Sequence, residues 1–203
     1  GTSYKREITT LGRGGSDVTA LALAGALSAE ACEIYSDVDG ICTADPRIVS
    51  DAERIDSLSY DEAEEMARAG AKVLHRDALA WARRHNVALY ARSSFVDQGQ
   101  GGTVIRCNPT ERAATAIAVV GRTDLVRVSA EPTAAVEELL LAIALVFRSE
   151  NAGMVEWIFS QEDMTEQATL FDALRNVGAT VESSLGSVTV IGAGIGEDRD
   201  TYR

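Results

Sequence analysis

The chain has 203 residues, of which 46% are apolar, enough for the cores of one large or two small domains. Its 31 acidic and 19 basic residues give a formal net charge of −12, which argues against nucleic acid and anionic membranes as partners. Its 3 cysteines are widely spaced and form no CxxC pair, so we expect a cytoplasmic protein without a disulfide framework or a cysteine-bound metal.

The segment EITTLGRGGSD, residues 7–17, predicts a short strand, a glycine-rich turn and the start of a helix. The helix is expected over 16–28, where apolar residues follow at helical spacing. Ser16 and Asp17 are both suited to cap it, because their side-chain oxygens can accept hydrogen bonds from backbone N–H groups of the first turn.

The turn before this helix is suited to an anionic ligand. Gly14 and Gly15 can adopt positive φ angles and let a ligand approach the main chain, and N–H groups at a helix start attract anions. The planar guanidinium of Arg13 suits a carboxylate or a phosphate. From spacing alone, a tight strand-to-helix turn with a surface arginine explains these residues equally well.

A second polar cluster follows a buried strand that we predict at 31–36. The segment YSDVDGICTADPR, residues 35–47, contains Asp37, Asp39 and Asp45. Carboxylates in a loop indicate a solvated turn or a metal site, but no glutamate stands where an EF-hand loop needs one. We therefore expect no metal site here.

The next segment predicts two helices. One is expected over 59–69, where Ser59 and Glu62 match a capping box and Gly70 is placed to terminate the helix. The other is expected over 75–84. Both belong to an α/β pattern of alternating helices and strands.

The chain has 2 histidines, His75 and His85. They lie at opposite ends of the helix predicted over 75–84, too far apart to share a metal ion. A structural or surface role is therefore expected for each.

A glycine-rich loop, QGQGG, follows a strand predicted at 87–93. Such a loop is typical of a domain boundary. We therefore expect one domain at 1–106 and another at 107–203.

The second half of the chain predicts a β-α-β-β-α-β order of elements. Alternating residues indicate its strands, and apolar residues at helical spacing indicate its helices. The predicted elements are strand-like segments at 115–121 and 124–129, a helix over 136–147, a strand over 153–159, a helix over 165–177 and a strand over 179–191.

The helix predicted over 136–147 is apolar on more than one face. One stripe, which includes Val136 and Leu140, can cover the sheet of its own domain. Leu141 and Leu145 fall outside this stripe, and exposed apolar surface on an acidic protein needs a partner. We therefore expect a homo-oligomer built on this half of the chain.

Four motifs resemble those of the aspartokinases, which belong to the amino-acid kinase family. They are TTLGRGGSD at 9–17, SDVDGICTADPR at 36–47, SYDEAEEMARAGAKVLH at 59–75 and RSSF at 92–95. The resemblance implies an α/β protein in which 1–106 is the C-terminal half of an amino-acid kinase α/β/α sandwich. It implies that 107–203 is an ACT-like regulatory domain with a ferredoxin-like βαββαβ order and a truncated second repeat, which GAGIG at 192–196 would open.

The resemblance also implies an activity, the ATP-dependent phosphorylation of the aspartate β-carboxylate to an acyl phosphate, with Mg²⁺ as the accompanying ion. Asp17 matches the carboxylate that organises the reacting groups, since phosphoryl transfer depends mainly on positioning and charge neutralisation. The residues that match substrate contacts are Arg13, Gly14, Gly15 and Ser16, and those that match nucleotide contacts are Ser36, Asp37, Cys42, Arg47, Lys72 and Val73.

Three departures from the family pattern are visible. Ser36 replaces a threonine and keeps the hydroxyl, whereas Cys42 replaces a tyrosine whose ring could pack on the nucleotide. Residues 131–136, EPTAAV, stand where the family usually has a Pro-Gly that opens an effector pocket. We therefore expect altered nucleotide affinity and weak effector binding.

The resemblance further implies a reactive-centre lysine ahead of the glycine-rich turn, and we expect the chain alone to be inactive because this sequence does not show it. Three interpretations stay open. The chain is a functional aspartokinase completed by an N-terminal half, a non-catalytic assembly or regulatory subunit, or an amino-acid-binding protein that keeps Arg13 and Ser16.

Overall fold

Helices and strands alternate along the chain in a computed structural model that describes residues 2–9, 12, 14–96, 101–107, 115–141, 143, 145–164 and 166–192. The chain divides into two units, Gly1–Gly121 with Thr189–Arg203, and Arg122–Val188. The boundary expected between 106 and 107 lies inside the first unit. None of the helices within the described ranges has both the length and the apolar character needed to cross a membrane.

The elements before residue 107 form the sheet and helices of the first unit. They are α1 (Gly15–Ala26), β1 (Ala31–Ser36), β2 (Ile41–Cys42), β3 (Arg54–Ile55), β4 (Ser57–Leu58), α2 (Tyr60–Ala69), α3 (Arg76–His85), β5 (Ala88–Ser93) and β6 (Thr103–Ile105). The main sheet has the order β1-β5-β6-β4, with β1 parallel to β5, β6 antiparallel to β5, and β4 parallel to β6. Helix α1 packs against β1 and α3, and α2 packs against α3.

The core of this unit lies between the helices and one face of the sheet. Leu21 of α1, Leu79 of α3 and Leu89 of β5 are completely buried in it. Burying such a side chain contributes roughly 1.5–3 kcal/mol, so these contacts hold the helices to the sheet.

The other face of β1 and β5 is polar, and its β1 side chains are exposed within the described part of the chain. Tyr35 donates to Glu33 at 2.6 Å, and Arg92 donates to Glu33 at 3.2 Å and to the Gly101 carbonyl at 3.0 Å. The Arg92 guanidinium also lies 4.9 Å from the centre of the Tyr90 ring. The expectation of a buried strand at 31–36 is therefore wrong, because every second residue of this edge strand is exposed.

Helix α2 confirms its predicted cap and end. The Ser59 hydroxyl accepts from the Glu62 N–H at 3.1 Å, and the Glu62 carboxylate accepts from the Ser59 N–H at 2.8 Å. Gly70 ends the helix with a φ of 103°. Such reciprocal bonds satisfy N–H groups that a helix start leaves free.

Helix α1 begins differently from its expected start. Gly14 occupies the N-cap position with a φ of 69°, so Ser16 and Asp17 lie within the first turn and do not cap it. A positive φ favours glycine, which lets the chain turn sharply into the helix one residue early.

The elements after residue 115 are β7 (Ala118–Ala130), α4 (Ala134–Leu140), β8 (Leu145–Asn151), β9 (Met154–Ser160), α5 (Gln167–Asn176) and β10 (Thr180–Ile191). Their order is β-α-β-β-α-β, and the sheet order is β10-β7-β9-β8. This split arrangement is the ferredoxin-like topology expected from the sequence. The two strand-like segments predicted at 115–121 and 124–129 are parts of one long strand.

The helix predicted over 136–147 is wrong in its second half. Helix α4 ends at Leu140, and β8 begins at Leu145 and pairs with β9. The Leu-Val-Phe segment at 145–147 favours a strand, and antiparallel pairing with β9 outweighs its helical spacing. The pairing register with β9 shifts between Leu145 and Phe147.

Candidate functional site

Two helix N-termini and the carboxyl ends of two parallel strands meet at one edge of the first unit. Helix α1 leads into β1, and α3 leads into β5, so each helix starts close to the end of the strand that follows it. Because β1 and β5 are parallel, these four ends lie at the same edge of the sheet. Open α/β sheets bind ligands at this kind of edge.

An open cleft of about 550 Å³, its solvent-filled mouth included, lies at this edge. Its walls come from the first turn of α1, the end of β1, the loop after β1, the turn before α3, and β5. The residues that line it are Asp17, 34–36, 38, 40–41, 72–74 and Ala91.

The cleft brings together Asp17, Ser36, Lys72 and Val73, four of the residues that sequence resemblance assigns to a site. These four come from three separate segments of the chain, so their proximity is a result of the fold. Asp17 supplies a carboxylate and Lys72 a cation to the described lining, and the rest comes from the hydroxyl side chains of Tyr35 and Ser36, from apolar side chains and from the backbone.

The other predicted site residues lie around the cleft or outside its lining. Gly14, Gly15 and Ser16 precede Asp17 in the turn and first residues of α1. Asp37 and Cys42 are not in the cleft wall, and Cys42 pairs with Arg54 in the β2–β3 ladder. Arg13 lies outside the described residues, as do residues 193–196 of the predicted second-repeat opening.

Arg47 is engaged with a neighbour in its own loop. Its guanidinium donates to both carboxylate oxygens of Asp45, at 3.0 and 2.7 Å. This pairing lowers the pKa of Asp45 to about 2 and raises the pKa of Arg47. The Arg47 side chain is 80% exposed, and it does not line the cleft.

The Asp17 carboxylate accepts a hydrogen bond from Ser16 and affects the pKa of Cys32. The Ser16 hydroxyl donates to Asp17 Oδ1 at 3.3 Å. Burial, and after it the charges of Asp17 and Glu33, raise the pKa of the Cys32 thiol. Cys32 is therefore protonated at neutral pH and is not an activated nucleophile.

A buried hydroxyl fixes the cleft wall after β1. Thr103 Oγ1 accepts from the Ile41 N–H at 2.8 Å and donates to the Ile55 carbonyl at 2.6 Å. Gly40 has a φ of 84°, and a Cβ there would lie 2.7 Å from the Thr103 hydroxyl. Sequence reasoning missed Gly40, Ile41 and Thr103, although a glycine after two aspartates signals a tight turn.

The same loop holds an ion pair. Asp39 Oδ2 lies 2.5 Å from Arg54 Nη1, and Asp39 Oδ1 is buried with no hydrogen-bond partner in the described part of the chain. A Cβ on Gly101 would lie 2.8 Å from Asp39 Oδ1. The pair ties the loop to the start of β3.

The histidines lie where the sequence places them, at the two ends of α3. His75 is the N-cap residue, and the His85 ring stacks on Trp81 with 5.1 Å between ring centres. Across the described ranges, no group of three His, Cys, Asp or Glu side chains is arranged to hold a metal ion.

Comparisons with known proteins identify the family. The model of the amino acid kinase family matches residues 1–92. The aspartokinase of Mycobacterium tuberculosis is 38% identical over 94% of this chain and 50% of its own length. The chain thus spans about half the length of the curated relatives it matches.

Two solved structures agree with this match. The crystal structure of Escherichia coli aspartokinase III in complex with aspartate and ADP (R-state) is 33% identical, with a TM-score of 0.82 over 98% of this chain and 48% of that one. The structure of the same enzyme in complex with lysine and aspartate (T-state) is 35% identical, with a TM-score of 0.74 over 95% and 46%. The motifs, the two folds and these matches together show that the chain belongs to the aspartokinases of the amino acid kinase family.

Proposed function

We propose that the cleft binds the nucleotide of an aspartate kinase and that the turn around Asp17 binds the amino-acid substrate. One observation carries this proposal: Asp17, Ser36 and Lys72 line a single cleft where two helices begin. Helix N-termini favour phosphate, and the Lys72 ammonium can neutralise its charge. The known ligands of a relative support the same assignment, since the E. coli enzyme was crystallised with aspartate and ADP.

Phosphoryl transfer requires the reacting groups to be positioned and their charge neutralised. In this proposal Lys72 orients the nucleotide phosphates, and the backbone of 72–74 forms one wall for the nucleoside. Asp17 orients the amino-acid side of the reaction and does not act as a base. Arg13 and the N–H groups after Gly14 hold the α-carboxylate.

Mg²⁺ fits this site only as a companion of the nucleotide. Mg²⁺ often binds through one or two carboxylates, water and substrate phosphates, and Asp17 is the carboxylate that the described lining offers. When bound, the ion would spread the negative charge of the transferred phosphoryl group.

The complete reaction, aspartate β-carboxylate plus ATP to an acyl phosphate, belongs in this proposal to the chain together with the half of its relatives that it does not match. The chain by itself supplies a nucleotide cleft and part of the amino-acid site.

Calorimetric titration with ADP tests the assignment. We expect the chain to bind ADP and Lys72→Ala to weaken binding by about 1.5–3 kcal/mol, as for a lost hydrogen bond to a charged group. Arg68→Ala is the matched control, because Arg68 pairs with Glu65 on the exposed side of α2. Equal affinity of the wild type and Lys72→Ala, or no ADP binding by the wild type, would contradict the proposal.

A second candidate function, an assembly or regulatory subunit, rests on exposed apolar residues in the second unit. Leu141 is 85% exposed, and Leu145, Val146 and Phe147 are also exposed. They follow one another around the start of β8, where a partner would cover them. We propose that the chain forms a homo-oligomer through this surface.

A further inference from the structure

His75 lies directly after the turn 72–74, which lines the cleft, although His75 itself is not part of the lining. Its side chain packs against Gly14 at the start of α1. A Cβ on Gly14 would lie only 2.4 Å from His75 Cβ and Cγ. The imidazole therefore occupies the space that any side chain at position 14 would need.

The orientation of this ring is fixed by α3. His75 Nδ1 accepts from the Asp77 N–H at 3.3 Å, so the ring caps the helix. The His75 carbonyl accepts from the Ala78 and Leu79 N–H groups, at 3.0 and 3.2 Å. Both the backbone and the side chain of His75 are thus held by the first turn of α3.

One side chain consequently spans two parts of the site. The His75 backbone directly follows the turn that carries Lys72. The His75 side chain packs against Gly14, in the turn that leads to Asp17. A shift of either turn must move the ring or open a gap against Gly14, because closely packed contacts do not deform continuously.

We propose that His75 is a positioning residue that couples the nucleotide side of the cleft to the amino-acid side. This inference rests on the proposed function for the identity of the two ligands. The contact between His75 and Gly14 transmits the placement of one turn to the other, so that binding of either ligand favours binding of the second.

The fold supplies a matched control at the other end of the same helix pair. A Cβ on Gly25 of α1 would lie 2.9 Å from Cγ of His85, the last residue of α3. This second glycine–histidine contact also joins α1 to α3, but neither residue lines the cleft. A variant at His85 therefore shows the effect of disturbing the packing of α1 on α3 without disturbing a contact beside the cleft.

The experiment measures ADP affinity by calorimetry with and without saturating aspartate. We expect aspartate to tighten ADP binding to the wild type by roughly fivefold or more, the lower end of common coupling. His75→Asn, which keeps a capping oxygen but removes the ring, should bring this ratio close to one. His85→Asn should leave the ratio unchanged.

A conservative variant shows which contact of His75 matters. His75→Phe keeps a ring against Gly14 but loses the acceptor for the Asp77 N–H. It should retain more of the coupling than His75→Asn does. The opposite ranking would show that the helix cap, and not the ring, links the two sides, and would overturn the proposal.

Amide hydrogen exchange gives a reading that does not depend on ligands. His75→Asn should raise exchange at 15–17 and at 72–74 together, whereas His85→Asn should raise it at neither. If the wild type binds no ADP, the proposed function fails, and exchange still tests the positioning. If both variants change coupling and exchange alike, His75 is an ordinary packing residue and the inference fails.

Discussion

Thr103 is a single residue on which the cleft wall depends. Thr103→Val would remove the acceptor for the Ile41 N–H and the donor to the Ile55 carbonyl inside the core. Leaving buried polar groups unpaired costs about 1–3 kcal/mol each, so urea denaturation should show a loss of that order. ADP affinity should fall as well, because Ile41 lines the cleft.

Thr103→Ser is the control for this change, since it keeps the hydroxyl and removes only a methyl group. The Thr103→Ser variant should keep most of the ADP affinity of the wild type. Wild-type affinity in Thr103→Val would show that the hydroxyl does not hold the wall.

Asp124 is a second residue with a measurable effect. Arg122 holds it through two hydrogen bonds, at 2.9 and 2.8 Å, and the Ser160 hydroxyl donates to it at 2.5 Å. The Arg122 guanidinium, with help from Ser160, holds the pKa of Asp124 well below its ordinary value of 3.8, although partial burial opposes this. Its ionised form therefore stabilises the fold above that pH, and the contribution is lost as the pH falls further.

Asp124→Asn should lower the melting temperature at neutral pH, and the difference from the wild type should shrink below a pH of 3.8. Asp45→Asn provides the comparison, because the pKa of Asp45 is also lowered, to about 2, in an exposed loop where solvent weakens the interaction. A difference for Asp124→Asn that persists unchanged in acid would contradict the electrostatic explanation.

At the scale of elements, the start of β8 carries the prediction about assembly. Leu141→Glu combined with Phe147→Glu should dissociate the oligomer without unfolding it, since both side chains are more than half exposed. Light scattering at micromolar concentration measures the mass, and circular dichroism the fold. Thr180→Glu adds one negative charge at another exposed position and should leave the mass unchanged. A monomeric wild type would contradict the prediction.

Local signals predicted elements well where side chain and backbone interact within a few residues. Ser59, Glu62 and Gly70 specify both ends of α2, and the structure follows them. The helix predicted over 136–147 failed because its apolar run suits either a helix or a strand, and only pairing with β9 decides. That partner lies later in the chain, beyond the reach of local periodicity.

The candidate site shows the same contrast between residues that local motifs point to and residues that depend on long-range contacts. Motif resemblance proposed Asp17, Ser36, Lys72 and Val73 as site residues, and the structure places these four in the lining of one cleft. Thr103 and His75 act through contacts with residues far away in sequence, Ile41 and Gly14. No spacing rule reveals such contacts, because they depend on how the strands and helices pack.

At the scale of the whole molecule, we predict negligible turnover of aspartate and ATP by this chain alone. The chain spans half the length of its relatives, and each missing group that stabilises developing charge costs a factor on the order of hundreds in rate. A coupled assay for ADP release should therefore give rates thousands of times below those of a complete aspartokinase, even where ADP binding is intact. Ordinary rates from the purified chain would refute this, and the Lys72→Ala variant would then show whether Lys72 has become essential.

The polar face of β1 and β5 has a consequence for what can lie against it. Glu33, Tyr35 and Arg92 satisfy one another, and Arg92 also reaches the Gly101 carbonyl and the Tyr90 ring. A polar face of this kind is well solvated when it is exposed to water. A layer packed over it would bury these charges as pairs and would leave none of them unpaired. This face can therefore either stay in contact with water or be covered by a neighbouring layer, without a change of sequence and without leaving these charges unpaired.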